Sequence, residues 1–410
     1  MIVSGWTFRR GRTGELDKNS PGTAAITLID TTGELDPSGP AYNFAPGTPG
    51  AIAIYNPVTA TDSQVFTGNI SRFSYDLYPT ERYAIATLEL VDGLDRLART
   101  EMYAGTGQIL TWGSASFIST AQDGDVWFDA DSTGNAVATR INSVLNSAQW
   151  PVGLRDLNSG NVSLKSTTYA YRTPALAAIQ DAADAEFPGV ANFYVAADGK
   201  AMFQGRLARF NPTDAQYNIS IWRAGDIAAV NADSTRALIF ELDYDEDVEK
   251  VINTAIATPK GIADADINAQ RVEDAASITA YGSRSESFHD LLTDGDFFDG
   301  SNANYATYKF AYYYVTNYAT PRVRVNRITV KRLPPTHPNA AEVWALMCGV
   351  DISDIIRLKT THQAGGGFDE DFYVEGISAT ATSRGGDDFD DVEMTLDLSP
   401  CAYFWTNPGW

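Results

Sequence analysis

The chain has 410 residues and a mass of 44.4 kDa, a length that predicts two to four domains. Its 52 acidic and 30 basic side chains give a formal net charge of −22. That charge argues against binding to nucleic acid or to an anionic membrane, because both need clustered Lys and Arg. The 20 Tyr, 19 Phe and 8 Trp, together with many short Val, Ile and Thr runs, favour a β-rich fold.

The N-terminal sequence MIVSGWTFRRGRTGELD has no apolar core of the kind that secretory signals carry. No stretch approaches the roughly 18 apolar residues of a transmembrane helix. The two cysteines, Cys348 and Cys401, are typical of a reduced compartment rather than of a disulfide framework. We therefore expect synthesis in the cytosol.

Residues 1–106 are predicted to form an all-β domain. Gly-, Pro- and Asp-rich turns separate four strand candidates, at Ala24–Ile29, Ala51–Tyr55, Gln64–Asp76 and Tyr83–Val91. In the last of these, Ile85 and Leu88 fall on opposite faces, which interrupts a strict period of two. That interruption favours a strand of a β-barrel or one that is packed on both faces.

Residues 107–235 are predicted to form a compact α+β domain. One helix is expected over Gly134–Gln149 with Ser132 as its cap, and its apolar side chains share one face: Val137, Ile141, Val144 and Leu145. A second is expected over Ala175–Glu186, with Thr173 as cap, Pro174 at the first helical position, and Leu176, Ile179 and Ala183 on one face. Asp198-Gly199 then predicts a β-hairpin.

Residues 236–410 are predicted to return to β-structure, with one helix over Asn304–Tyr318 whose Ala306, Phe310 and Tyr313 form an apolar stripe. A helical turn is expected over Asn339–Met347. The strand candidates are Ala237–Tyr244, Val251–Ala257, Ser277–Tyr281, Arg322–Lys331, Ile355–Thr360, Asp371–Ser383 and Asp391–Leu398.

Two stretches of the chain resemble each other. Phe66–Gly93 and Phe372–Pro400 both begin with an aromatic residue, continue through Gly, Ile and Ser into a long strand and a polar turn, and end in a strand with Leu-x-Leu. Both are predicted to be long β-hairpins, and the similarity suggests that the first and last domains share one barrel type.

The sequence offers no convincing catalytic, metal or cofactor site. His289, His337 and His362 lack a nucleophile motif, and Cys348 and Cys401 lack nearby zinc ligands. Asp129, Asp131, Thr133 and Gly134 match the start of a calcium loop, but its closing position is Arg140, a cation that opposes calcium. Acidic turns such as Gly385–Glu393 do not stand out as the paired carboxylates of a glycosidase. We expect no enzymatic activity and no cofactor.

The opening of the chain, GRTGELDKNSPGTAAITLIDTTGELDP, resembles minor tail proteins of siphophages that infect actinobacteria. The matching positions are Arg12, Glu15, Leu16, Asp17, Gly22, Thr23, Ala24, Thr27, Leu28, Gly33, Leu35, Asp36 and Pro37. Further segments match in order: Val65–Ile70, Leu88–Ala98, Ser277–Arg284 and Phe372–Pro400.

The resemblance extends to the trimeric baseplate and tail-associated hubs, and it implies a domain plan. Two related β-barrels, here 1–106 and 236–410 with a helical insertion at about 300–320, flank the α+β domain at 107–235. Three chains then present six barrels, which adapt a sixfold tail tube to a threefold tip and surround a conduit for DNA. The implied partners are other copies of the chain, the distal tail protein, the tape measure protein and other minor tail proteins. The implied location is the virion tail tip.

Within that plan, the tetrapeptide Gly-Glu-Leu-Asp, present at Gly14–Asp17 and Gly33–Asp36, flanks one barrel strand. We expect Leu16 and Leu35 to point inward, and the acids Glu15, Asp17, Glu34 and Asp36 to lie in solvent or at a subunit seam. Two other interpretations remain open: a hexameric distal tail protein, and a tail protein that binds or cuts host carbohydrate.

Overall fold

The structure, a computed structural model, describes residues 2–40, 42–78, 80, 83–102, 109–112, 115–118, 126–128, 136–211, 213–221, 234–246, 248–261, 270–293, 306–360, 367, 369–383 and 391–402. Its helices are α1 Gly93–Arg99, α2 Ala136–Ser147, α3 Ala175–Glu186, α4 Arg206–Phe210, α5 Ala275–Tyr281, α6 Ala306–Tyr318 and α7 Ala340–Gly349. Its strands are β1 Ile2–Gly11, β2 Ser20–Asp30, β3 Pro49–Asn56, β4 Thr61–Tyr78, β5 Tyr83–Val91, β6 Ile109–Trp112, β7 Ala115–Ile118, β8 Val126–Phe128, β9 Arg155–Leu157, β10 Thr167–Tyr169, β11 Asn192–Val195, β12 Ala201–Gln204, β13 Tyr217–Ile221, β14 Ala237–Ile239, β15 Glu241–Glu246, β16 Thr254–Pro259, β17 Gln270–Glu273, β18 Ser285–Leu291, β19 Val323–Lys331, β20 Ile355–Lys359, β21 Asp369–Thr382 and β22 Asp391–Pro400.

The N-terminal strands form an antiparallel sheet in the order β1-β2-β5-β4-β3. In β5 every second side chain is buried (Ala84, Ala86, Leu88 and Leu90), because one face of the strand packs on the core. The expected interruption of the period of two is therefore wrong. Ile85 lies on the outer, half-buried face, so its apolar character misled the interpretation.

The C-terminal strands close on themselves. β13 pairs with β14, the chain continues through Phe240 into β15, and β15 pairs with β19. The path continues from β19 to β22, β21 and β20, and β20 pairs with β13. Six strand positions thus form a closed circuit. β13 at Tyr217–Ile221 belongs to this circuit, although its residues are predicted to lie in the middle domain, 107–235.

One antiparallel joint, between β1 and β21, connects the N-terminal sheet to this circuit. Gly5–Gly11 of β1 pairs with Gly376–Thr382 of β21, so the twelve strands form one sheet. Gly11 has φ +91° and lies where a methyl group would collide with the carbonyl oxygen of Glu375, so the joint needs glycine there. Side chains from both halves share one core, which includes Phe8, Phe66, Ile328 and Leu396.

The hairpins β4–β5 and β21–β22 match in detail. Each contains one register shift, between Ile70 and Arg72 in β4 and between Val374 and Gly376 in β21. On the far side of each hairpin the same order continues, because β5 pairs with β2 and then β1, whereas β22 pairs with β19 and then β15. The resemblance seen in the sequence thus corresponds to two hairpins with the same pairing pattern.

Two smaller units lie beside this sheet. In one, α2 and α3 pack with the sheet β11-β12-β9, and the predicted face of α2 is fully buried: Val137, Ile141, Val144 and Leu145. In the other, α6 packs against the sheet β17-β16-β18 through an aromatic core that includes Phe310, Tyr313 and Tyr314.

Most predicted elements are confirmed with shifted ends, and two further local predictions are wrong. Residues Ser277–Tyr281 belong to helix α5 instead of a strand, because the Asp274 side chain accepts a hydrogen bond from the Ser277 amide and caps the helix. Thr173 does not cap α3, since its hydroxyl donates to Ala170 O at 2.8 Å. The Asp198-Gly199 turn between β11 and β12 is confirmed, with Gly199 at φ +86°.

Candidate functional site

A buried ionic cluster connects three distant parts of the chain. Glu375 of β21 accepts hydrogen bonds from Arg12 Nε at 2.7 Å and from Arg209 of α4 at 2.6 and 3.0 Å. None of the three side chains is more than 2% exposed. Burial alone would raise the pKa of Glu375, but the two guanidinium charges and their hydrogen bonds outweigh it and lower the pKa to about 2. The carboxylate is therefore charged throughout the physiological range.

The same cluster fixes the surrounding backbone. Arg209 donates to Ser353 Oγ at 2.8 Å, and Asn192 of β11 donates to the same oxygen at 3.1 Å. The Tyr373 hydroxyl donates to the carbonyl oxygen of Arg209 at 3.0 Å, and the Arg209 guanidinium lies 4.9 Å from the Tyr373 ring centroid. The cluster thus orients α4 and β11, which belong to the unit of α2, α3 and the sheet β11-β12-β9, called the middle unit below, against the large sheet. Its groups already engage one another, which is typical of a structural cluster.

Arg12 also holds the first Gly-Glu-Leu-Asp copy, because it donates to Asp17 O at 2.9 Å. Both copies form the same turn, in which the Asp amide donates to the carbonyl oxygen of the Gly three residues before it, at 3.1 Å in the first copy and 3.4 Å in the second. Leu35 is buried as expected, at 2% exposure. Leu16 is 39% exposed, so its expected inward position is wrong.

The acids of the two turns differ in their partners. Glu15 accepts a hydrogen bond from the Tyr318 hydroxyl at 2.9 Å, and it thereby ties the first turn to α6. Asp36 accepts from the amide and hydroxyl of Ser38, at 2.8 and 2.7 Å, as expected for a turn start. Asp36 therefore stabilises its own turn, whereas Glu15 connects its turn to a distant helix.

A cleft of about 440 Å³ lies beside the first turn. Its walls carry more acidic than basic side chains: Glu15, Asp17, Asp243, Glu249, Glu286 and Asp397 with Lys250, Arg324 and Arg327. Arg327 donates to Asp397 at 3.1 Å, and Lys250 donates to Asn326 at 2.7 Å. Within the described residues no group of three or more His, Cys, Asp or Glu side chains is placed to hold a metal ion.

The other candidate residues are not brought together into a site. His289 lies 3.4 Å from the Thr258 hydroxyl, whereas His337 accepts from the Asn339 amide at 3.1 Å. Cys348 and Cys401 are free thiols, and burial raises the pKa of Cys348 to about 11. Arg140 stacks 4.9 Å from the Phe128 ring centroid. Outside the described residues lie His362, Asp129, Asp131, Ser132, Thr133, Gly134 and the acidic turn at 385–390.

Several strand edges of the large sheet are unpaired within the described residues, among them the outer edge of the end strand β3 and one edge each of β4 and β15. β5 covers one edge of β4 from Asn69 to Tyr78, and β3 covers the other edge only as far as Asn69. The outer half of β4, Ser71–Tyr78, therefore has one free edge, near which Leu77 is 63% exposed. β15 pairs with β19 on one side, and among these residues nothing pairs with its other side.

No helix in the described part of the chain combines the length and apolarity that a membrane span requires.

Comparison with solved structures places this architecture in a known class. The 43 kDa tail protein of prophage MuSo2 from Shewanella oneidensis is 10% identical with a TM-score of 0.55, and the match covers 98% of this chain and 95% of that one. The tail protein from Neisseria meningitidis MC58 is 11% identical with a TM-score of 0.55, covering 97% and 91%. No protein-family profile and no curated protein sequence matches the chain. The chain therefore has the fold of these tail proteins, over nearly its whole length.

Proposed function

We propose that the protein is a structural component of a phage virion, a hub at the tail tip that links the sixfold tail tube to a threefold tip. The observation that carries this proposal is the pair of matching hairpins, β4–β5 and β21–β22, joined in one sheet by β1 and β21. The fold shared with prophage tail proteins supports it independently.

The matching halves account for the change of symmetry. Each chain contributes two similar sheet units to the ring. A ring of three chains therefore contains six units, which matches a sixfold tube. In this proposal the units lie within residues 1–106 and 236–410, the second completed by β13 at Tyr217–Ile221, and both face the tube. The middle domain, 107–235, lies peripheral or distal, with the helical insertion at about 300–320 in the second unit.

The charge suits a conduit. A formal net charge of −22 per chain makes the ring strongly acidic, and an acidic bore repels the DNA polyanion, which can then pass without adhering. The partners in this proposal are other copies of the chain, the distal tail protein, the tape measure protein and other minor tail proteins. The protein is made in the host cytoplasm, acts in the virion and has no enzymatic activity.

The symmetry of this subunit in intact particles tests the proposal. We expect three copies around the tail axis in an electron cryomicroscopy map of the tip, with both hairpins of each copy in one ring. Six copies would instead identify a distal tail protein. Turnover of a cell-wall glycan or peptide, abolished by changing one Asp or Glu, would show that the protein is an enzyme.

A further inference from the structure

We propose that neighbouring copies are joined strand to strand, by antiparallel pairing of β15 of one copy with the outer half of β4 of the next. The joint would repeat, between copies, the β1–β21 joint that each chain makes within itself. This inference rests on the proposed ring of three chains, and it adds the surface by which the ring closes.

The intrachain joint supplies the template. β22 covers one edge of β21 along Phe372–Thr382. On the opposite edge, β20 covers the inner part, up to Tyr373, and β1 covers the outer part from Gly376 to Thr382. The outer half of β21 is therefore completed by a strand from the other half of the molecule.

The outer half of β4 is in the same situation, except that no strand in the described part of the chain pairs with this edge. β5 takes the place of β22, and β3 takes the place of β20 and ends at Asn69. The edge from Ser71 to Tyr78 is the position that β1 fills on β21. Unpaired backbone N–H and C=O groups along such an edge favour pairing with another chain, and proteins normally cover or blunt them.

β15 is the strand that corresponds to β1. Trp6 of β1 lies opposite Ile26, and Ile26 lies opposite Leu88. In the same way Leu242 of β15 lies opposite Ile328, and Ile328 lies opposite Leu396. Leu88 and Leu396 occupy matching places in their hairpins, since each precedes the final x-Leu.

The positions of the two free edges are right for a closed ring. Each edge is three strands away from the intrachain joint: β4 is reached from β1 through β2 and β5, and β15 from β21 through β22 and β19. These two edges are therefore equally far from the intrachain joint, although β3 lies beyond the first part of β4. A contact between two different edges is head-to-tail, and such contacts form rings when the rotation closes.

The template also predicts direction and register. β1 runs antiparallel to β21 with Trp6 opposite Ala381, so β15 should run antiparallel to β4 with Leu242 opposite Leu77. That register buries Leu77, and it brings Arg72 near the acidic end of β15 at Glu246. It also places Asp243 opposite Asp76, a like-charge pair that weakens association. This repulsion predicts that free copies associate weakly outside the tail.

Cross-linking in assembled tails tests the joint. The variant L77C/L242C should yield disulfide-linked dimers and trimers on non-reducing gels, because directly opposed strand residues lie within disulfide reach. The matched control V152C/L242C uses an exposed residue of the middle unit and should yield only the wild-type background from Cys348 and Cys401.

Association of the purified chain provides a second readout. Asp76→Asn should strengthen trimer formation by about 1.4-fold to fivefold per joint, and Leu77→Asp should weaken it by a similar factor, since opposed pairs contribute about 0.2–1 kcal/mol. Val152→Asp should change nothing. Three copies per tail without the 77–242 cross-link would overturn the joint and leave the hub intact. Six copies with the cross-link would overturn the hub and leave the joint.

Discussion

Arg209 and Glu375 form a two-pronged ion pair in which neither side chain is exposed to solvent. Because the two residues belong to α4 and β21, the pair ties the middle unit to the large sheet. A buried ion pair contributes little over a well-packed apolar pair, but removing one partner leaves a charge that water cannot reach. Substitutions in this pair therefore test how much the stability of the whole chain depends on the contact between the middle unit and the large sheet.

Glu375→Gln should lower the free energy of unfolding by about 3–5 kcal/mol, because Arg12 and Arg209 would both remain charged and buried. Urea unfolding at pH 7 measures the loss. Glu101→Gln removes the carboxylate of an exposed pair with Arg172 and should leave stability unchanged within error. Equal stability of E375Q and the wild type would contradict the role given to the cluster.

The lowered pKa of Glu375 also predicts that the free energy of unfolding decreases at low pH. The folded-state pKa of Glu375 is lowered to about 2 from an ordinary value of 4.5, so its stabilisation is fully present above pH 4.5 and is lost as the pH falls toward 2. The difference amounts to about 3 kcal/mol. The stability gap between wild type and E375Q should therefore narrow over this range, as measured by urea unfolding at several pH values. A gap that is constant with pH would refute the prediction.

Asp92 should have the opposite effect, so that its contribution to stability decreases as the pH rises. Its carboxylate caps α1 by accepting from the Leu94 amide at 2.9 Å, and burial raises its pKa to about 7 from 3.8. The folded state then holds a proton that the unfolded state releases, so the Asp92 contribution falls by about 4 kcal/mol between pH 4 and pH 7. Asp92→Asn keeps a capping oxygen without the charge. It should gain stability relative to wild type as the pH rises over this interval, measured by thermal unfolding.

Gly11→Ala should lower the free energy of unfolding by more than the backbone strain at this position accounts for. At φ +91° an alanine is strained by about 1–2 kcal/mol, and its methyl group also meets Glu375 O, which adds about 1–3 kcal/mol. Gly33 has φ +78° and open space around it, so Gly33→Ala should show the strain alone. Equal losses in urea unfolding would mean that the β1–β21 joint has room to adjust.

Local features were predictable and long-range ones were not. The strands β4, β5, β21 and β22 follow from apolar and aromatic runs between turn residues, and the buried face of α2 follows from its spacing. β1 was not predicted, although Trp6 and Phe8 are two positions apart, as expected for side chains on one face of a strand. The helix at Ser277–Tyr281 contains Ile and Thr, which favour strands, and its Asp274 cap outweighed them.

The ionic cluster could not be predicted. Among 52 acids nothing in the sequence distinguishes Glu375, because its partners lie 363 and 166 residues away along the chain. Its burial results from a bulge in β21 and from the approach of α4. The free strand edges could not be predicted for the same reason, because whether a strand edge is paired depends on which distant strands pack beside it.

The β1–β21 joint also has a consequence for biosynthesis. β1 leaves the ribosome long before its partner segment Gly376–Thr382 is translated. At roughly 5–20 residues per second the first strand waits on the order of 20–70 s for its neighbour. Contacts so distant in sequence slow folding. During translation the N-terminal sheet therefore presents an open β1 edge, at which newly made chains can aggregate or recruit a chaperone.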